Sequence, residues 1–187
     1  MTDETSTPRC VTFRETAYPL AGVVPEVGLA VPDFRLSKWL DATRIEVTLG
    51  DTLSAGLPVL FSVVQSVDAP ISRLQAKTFD LKLAEFEGAV VGAQVSSDLP
   101  NTINRFLYQE DILRLDGLSD YFDQNFGRAF GVLIEEARIL TRAVFVIDWQ
   151  GVLHHAEVVP EITQQPDYES AIAVLRRLVV NAPGAIA

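Results

Sequence analysis

Few residues in this chain have types and spacing that could do chemistry, and the most suggestive is Ser72, in SVVQSVDAPISRLQAKTF (62–79). The stretch has the form of a loop that presents a side chain at the start of a helix. There the partial positive charge of unbonded backbone N–H groups favours an anionic nucleophile. A serine hydroxyl ionises far less readily than a thiol, so it needs an adjacent base and an oxyanion hole. Ser72 has no Gly-x-Ser-x-Gly context, and the only histidines, His154 and His155, are neighbours. On a strand, adjacent residues face opposite sides, which also makes this pair a poor metal site. Cys10 is the sole cysteine, so no intrachain disulfide or two-thiol redox cycle is possible. The bland reading of Ser72 has support of its own. Ser72-Arg73-Leu74-Gln75 fits the S-x-x-Q capping box, worth about 1 kcal/mol to a helix, with Asp68 as a competing cap.

Arg142 opens an apolar strand and has two open readings. It pairs with a carboxylate such as Glu135, Glu136 or Asp148, or it forms an anion pocket facing the helix start at 72. Asp120, Asp123 and Gln124 read as the wet face of a helix. Gly127 and Gly131 lack the spacing of a phosphate loop. Neither a metal nor a cofactor is expected.

Fifteen basic and twenty-five acidic side chains give a net charge of −10. Such a surface repels phosphate backbones and anionic lipid, which argues against nucleic-acid and membrane partners. No apolar run approaches the roughly 18 residues of a membrane span. The opening residues are polar and acidic, without the pattern of a secretory signal, so the cytoplasm is the expected location. Residues 1–10 read as a mobile polar tail and 11–187 as a single domain.

These residues must be positioned by elements legible in the hydrophobic pattern. CVTFRET and AYPL suggest an opening hairpin, VPEVGLAVPDF an irregular segment, and RIEVTLG a strand. LPVLFSVVQ (57–65) is the apolar run of a strand buried on both faces. A helix follows, with Leu74, Phe79, Leu83 and Phe86 as its inner stripe and Gly88 as its stop. GAVVGAQVS predicts another buried strand and LPNTINRFLYQED a helix with Pro100 in its first turn. DILRLDG predicts a short strand, and LSDYFDQNF a short helix starting near Ser119 or Asp120. RAVFVIDWQGVLHHAEVV (142–159) predicts a hairpin. Tyr168, Ile172, Leu175 and Val179 mark one face of a last helix. The order implies an α/β fold with a mixed sheet.

Several strings, in consistent order, resemble the bacterial thiol peroxidase family, a peroxiredoxin branch. They are SSDLPNTINRF (96–106), FGRAFGVLIEE (126–136), LTRAVFVID (140–148) and VVPEITQQPDYESAIAVL (158–175). The resemblance implies a thioredoxin-like fold with an N-terminal β-hairpin, and a homodimer formed through the active-site face. It also implies a Pro-x-x-x-Thr-x-x-Cys loop, whose proline, threonine and peroxidatic cysteine fall on Gln65, Ala69 and Ser72. The resolving cysteine falls on Leu107 and the active-site arginine on Arg142. Oxygen has no equivalent of the sulfenic acid that carries the family's oxidising equivalent. The expected protein is therefore a non-catalytic homologue that binds a protein partner or a small anion at the former active-site face. A competing reading keeps thioredoxin-dependent hydroperoxide reduction and makes Ser72 an engineered replacement of the cysteine. A third relocates the reactive thiol to Cys10.

Overall fold

The structure, a computed structural model, describes residues 9–185; the expected tail lies outside them except for Arg9 and Cys10. The chain opens with β1 (Cys10–Phe13) and β2 (Thr16–Ala21), so Cys10 belongs to a strand rather than a tail. Arg14 and Glu15 between them have φ of 48° and 74°, the doubly left-handed turn whose twist matches a hairpin. Then come β3 (Arg35–Leu40), β4 (Thr43–Thr48), α1 (Leu49–Leu53) and β5 (Val59–Val63). The central stretch holds α2 (Pro70–Leu83), β6 (Val91–Ser96), α3 (Pro100–Gln109), β7 (Asp116–Ser119) and α4 (Asn125–Ala129). The last part is β8 (Leu133–Ile134), β9 (Ile139–Leu140), β10 (Ala143–Ile147), β11 (Leu153–Val158) and α5 (Tyr168–Val179).

Seven strands form the main sheet in the order β11-β10-β5-β6-β7-β3-β4. The pairs β5–β6 and β6–β7 are parallel, and the others are antiparallel. The mixed α/β architecture expected from the alternation of strands and helices is present. β5, β6 and β10 are central, which explains their near-continuous apolar sequences. Alternation sends Phe61, Val63, Phe145 and Ala143 to one face and Leu60, Val144 and Val146 to the other. The first face packs against Phe34, Phe126 and Phe130, with Phe126 and Phe130 stacked at 4.3 Å. α2, α3 and α5 cover the second. A small antiparallel sheet, β1-β2-β8-β9, stands apart from the large one. Its close approach to α4 needs glycine: a Cβ on Gly22 (φ +82°) would meet the Arg128 carbonyl oxygen at 1.9 Å. No helix among the described residues is long and apolar enough to cross a membrane.

Several expectations are corrected. DILRLDG is not a strand; the strand lies later, at Asp116–Ser119. Asp80 accepts from the Leu113 and Arg114 backbone N–H groups and holds residues 113–114 in a turn-like path. β3, α1 and the two short strands β8 and β9 were not anticipated. α4 begins at Asn125, later than expected. Asp120 and Gln124 are buried rather than wet.

The Asp120 carboxylate accepts from the backbone N–H groups of Phe126 and Gly127 at 3.0 and 2.8 Å. Desolvation outweighs these donors and pushes its pKa up to about 7. Between the ordinary carboxyl value and that point, the folded state holds a proton that the unfolded chain has released. The contribution of Asp120 to stability is therefore complete at low pH and is lost as pH rises through about 7. Urea unfolding of wild type and Asp120→Asn, from about pH 4 to about pH 8, should show wild type losing ground to the variant as pH rises. A difference independent of pH would contradict this.

Candidate functional site

The site forms where β5 hands the chain to α2. After β5, the Val64 N–H still bonds the Val95 carbonyl at 2.9 Å, and the chain then leaves the sheet. Asp98 fixes the loop that follows, accepting from the Val67 N–H at 2.8 Å and the Ser66 hydroxyl at 3.0 Å. The Ser96 hydroxyl also donates to Asp98, at 2.8 Å, so the carboxylate joins two neighbouring strand ends.

Helix α2 starts at Pro70, with Ala69 as its extended N-cap. Proline suits the first helical position because its fixed φ is helical and its missing N–H would have no partner there. This overturns the capping-box expectation. Ser72 is already the third residue of the helix, and neither it nor Asp68 caps the end, since no side-chain bond does. Of the expected inner stripe, Phe79, Leu83 and Phe86 are buried, but Leu74 is 53% exposed, and Ser72, Gln75 and Ala76 face inward instead. The Ser72 hydroxyl is buried and has no hydrogen-bond partner. No base reaches it. His154 is bonded to Asp148 at 2.8 Å, and the carboxylate facing His155 is Glu157, at 3.9 Å.

Gln75 points into the core, where its amide nitrogen donates to the Ser62 hydroxyl at 2.9 Å. Its oxygen accepts from Arg142 Nη1 at 2.6 Å. The other Arg142 bonds run from Nη2 to the Gln65 amide oxygen, 3.0 Å, and from Nε to the Ile162 carbonyl, 3.0 Å. All three acceptors are neutral, and among the described residues no carboxylate pairs with this guanidinium. Glu135 bonds Arg128 instead, and Asp148 bonds His154. The carboxylate-pairing reading of Arg142 is thereby overturned. Arg142 is only 1% exposed, and desolvation lowers its pKa to about 10.

Beside Arg142 lies a cavity of about 470 Å³. Its walls come from three places: Gln65, Ala69, Pro70 and Ile71 at the head of α2; Ile134 and Ile139 of the small sheet; and Ile162. The hairpin adds Phe13 and Tyr18. It is tied down by the Thr12 N–H to the Pro160 carbonyl, 2.7 Å, and the Ile162 N–H back to the Thr12 carbonyl, 2.9 Å. The same 160–162 segment that supplies an acceptor to Arg142 thus anchors the cavity wall. Among the described residues, Arg142 is the one charged side chain lining the space.

The structure brings Gln65, Ala69 and Arg142 to this cavity, with Ser72 one turn deeper. Leu107 does not line it. It packs on the inner side of α3 and borders a separate groove with Trp39 and Gly117. Cys10 lies three residues before Phe13 on β1, about 10 Å along the strand and on its other face. The functional part of Gln75 and the isoleucine walls were missed from sequence. A polar residue four positions before Phe79, on the stripe that turns inward, was the available signal.

The AhpC/TSA family model matches residues 27–156. A thiol peroxidase of Bacillus subtilis is 36% identical over 169 residues, covering 90% of this chain and 98% of the relative. The chain belongs to this family, in its thiol peroxidase branch. A thiol peroxidase of Halalkalibacterium halodurans is 38% identical, covering 87% of this chain and 94% of that one. Among solved structures, a peroxiredoxin-like protein from Aquifex aeolicus has a TM-score of 0.79 and 29% identity, covering 91% of this chain and 97% of the other. The thiol peroxidase from Chromobacterium violaceum, at 20% identity, shares the fold with a TM-score of 0.80 and coverage of 92% and 98%. The peroxiredoxin form of the thioredoxin-like fold and its added hairpin, β1–β2, are as the resemblance implied.

In this family member the Gln75–Arg142 bond is a buried, charge-assisted contact. Removing one partner leaves the other buried without this bond, whereas removing both leaves neither polar group behind. A double-mutant cycle of Gln75→Leu and Arg142→Met should give a coupling energy of about 1.5–3 kcal/mol in urea unfolding. Additive effects would show that the bond contributes nothing.

Proposed function

We propose that this chain is a thiol-peroxidase homologue without peroxidase chemistry, which works in the cytoplasm by binding at the face formed by the head of α2 and Arg142. The observation that carries this reading is the composition of the α2 head. A buried serine hydroxyl stands there with no base, beside an arginine already held by two glutamines. In the proposed correspondence Ser72 takes the peroxidatic position, Gln65 and Ala69 the positions of the loop proline and threonine, and Leu107 the resolving position. Peroxide attack needs a soft anion that can become a sulfenic acid. An alcohol supplies neither, and the Arg142 charge does not change that. Cys10 sits on a different strand face from Phe13 of the cavity wall, which speaks against a relocated thiol.

The test is hydroperoxide consumption coupled to thioredoxin, its reductase and NADPH. Wild type and Cys10→Ala should both turn over at the rate of buffer alone. Turnover by wild type that disappears in Cys10→Ala would move the chemistry to Cys10 and end the non-catalytic reading. Ser72→Cys probes the competing view that only the thiol was replaced. A thiol there with pKa below about 7 would show the α2 head still tuned for it, and one near 8.5 would show that it is not.

A homodimer is part of the same proposal. Leu99, 52% exposed at the N-cap of α3, adjoins the loop held by Asp98, and its burial would favour self-association. Sedimentation should give twice the 20.5 kDa chain mass, shifting toward monomer in Leu99→Asp. A single-chain mass at micromolar concentration would refute it.

A further inference from the structure

We propose that the cavity beside Arg142 is a site for a monocarboxylate with an apolar tail. This rests on the reading that the chain acts by binding. Three observations select that class. First, Arg142 spends three of its five N–H donors on neutral oxygens. One N–H remains on each terminal nitrogen, so the guanidinium that lines the cavity keeps donors for an anion. Second, no side chain caps α2, so the helix end that borders the cavity also favours negative charge. Third, the remaining walls are mainly Phe13, Tyr18, Pro70 and isoleucines. A small inorganic anion would leave that surface facing water.

The single positive charge sets the charge of the ligand. A phosphate dianion would bring a second charge into an apolar enclosure with no second cation to meet it. A neutral alcohol of the same length would fill the walls and leave the guanidinium as it is. The volume, about 470 Å³, falls within the range of small-molecule sites. Gln65 is part of the device. Its oxygen holds Nη2 in place, and its amide nitrogen is buried without an acceptor. An entering carboxylate can take over the Nη2 position and accept from that nitrogen after the side chain turns.

Calorimetric titration with hexanoate, octanoate, octan-1-ol and inorganic phosphate tests the proposal on the intact chain. Octanoate should bind about fifteenfold tighter than hexanoate, the expected gain for two buried methylenes. It should also bind at least tenfold tighter than octan-1-ol. Arg142→Leu should remove the preference over the alcohol. Ala137→Trp, a substitution at an exposed wall position, should weaken octanoate and octan-1-ol together without disturbing the fold. Equal affinity for acid and alcohol, phosphate binding as tight as octanoate, or octanoate binding unchanged in Ala137→Trp would each overturn the site. The peroxide assay is independent: turnover there would sink the non-catalytic reading, and octanoate binding would still be readable.

Discussion

A guanidinium buried with only neutral acceptors is the constraint on which this site depends. Moving a cation out of water is costly, and a chain normally offsets it with a carboxylate. Arg142 is instead held by two amide oxygens and one backbone carbonyl. The three acceptors sit on separate parts of the chain: the loop after β5, the first turns of α2, and the segment after β11. Satisfying one side chain therefore fixes three elements relative to one another. It also draws Gln75 into the core and makes Ser62, a hydroxyl in a buried strand, its second partner. The hairpin joins the same arrangement through Thr12 and the 160–162 backbone.

Much of this scaffold was legible because its pattern is periodic. The strand at 59–63, the hairpin spanning 143–158 and the helix at 168–179 are set by runs that only one burial pattern satisfies. Elements without such a signal were hidden. β8 and β9 are two residues each, too short to show alternation. β7 was displaced because Asp80, distant in sequence, takes the backbone N–H groups of Leu113 and Arg114. Local chemistry misled at the site itself. Ser72-x-x-Gln75 matches a capping box, yet Pro70 starts the helix earlier and turns both side chains inward. Asp120 looked like a surface residue because its partners are backbone groups, which leave no mark in sequence.

The family membership and the site composition point to different links in the chain from sequence to function. The fold, the loop pinned by Asp98 and the arginine at the foot of β10 are scaffold, and they bring a cavity and a positive charge together. Chemistry would need one further ingredient, a side chain able to give electrons to an oxygen–oxygen bond and survive as an oxidised species. Ser72 cannot do that, and its hydroxyl has no base to activate it. On the proposed reading, what remains is an electrostatic feature in an apolar enclosure, the physical basis of recognition rather than of turnover.

The most direct measurement of this account is a crystal structure of the chain grown with octanoate. The expected result is a carboxylate within hydrogen-bond distance of the Arg142 terminal nitrogens, with the alkyl chain against Ile134, Ile139 and Ile162. A cavity without ligand at saturating octanoate, with Arg142 still bonded only to Gln65, Gln75 and the Ile162 carbonyl, would contradict it.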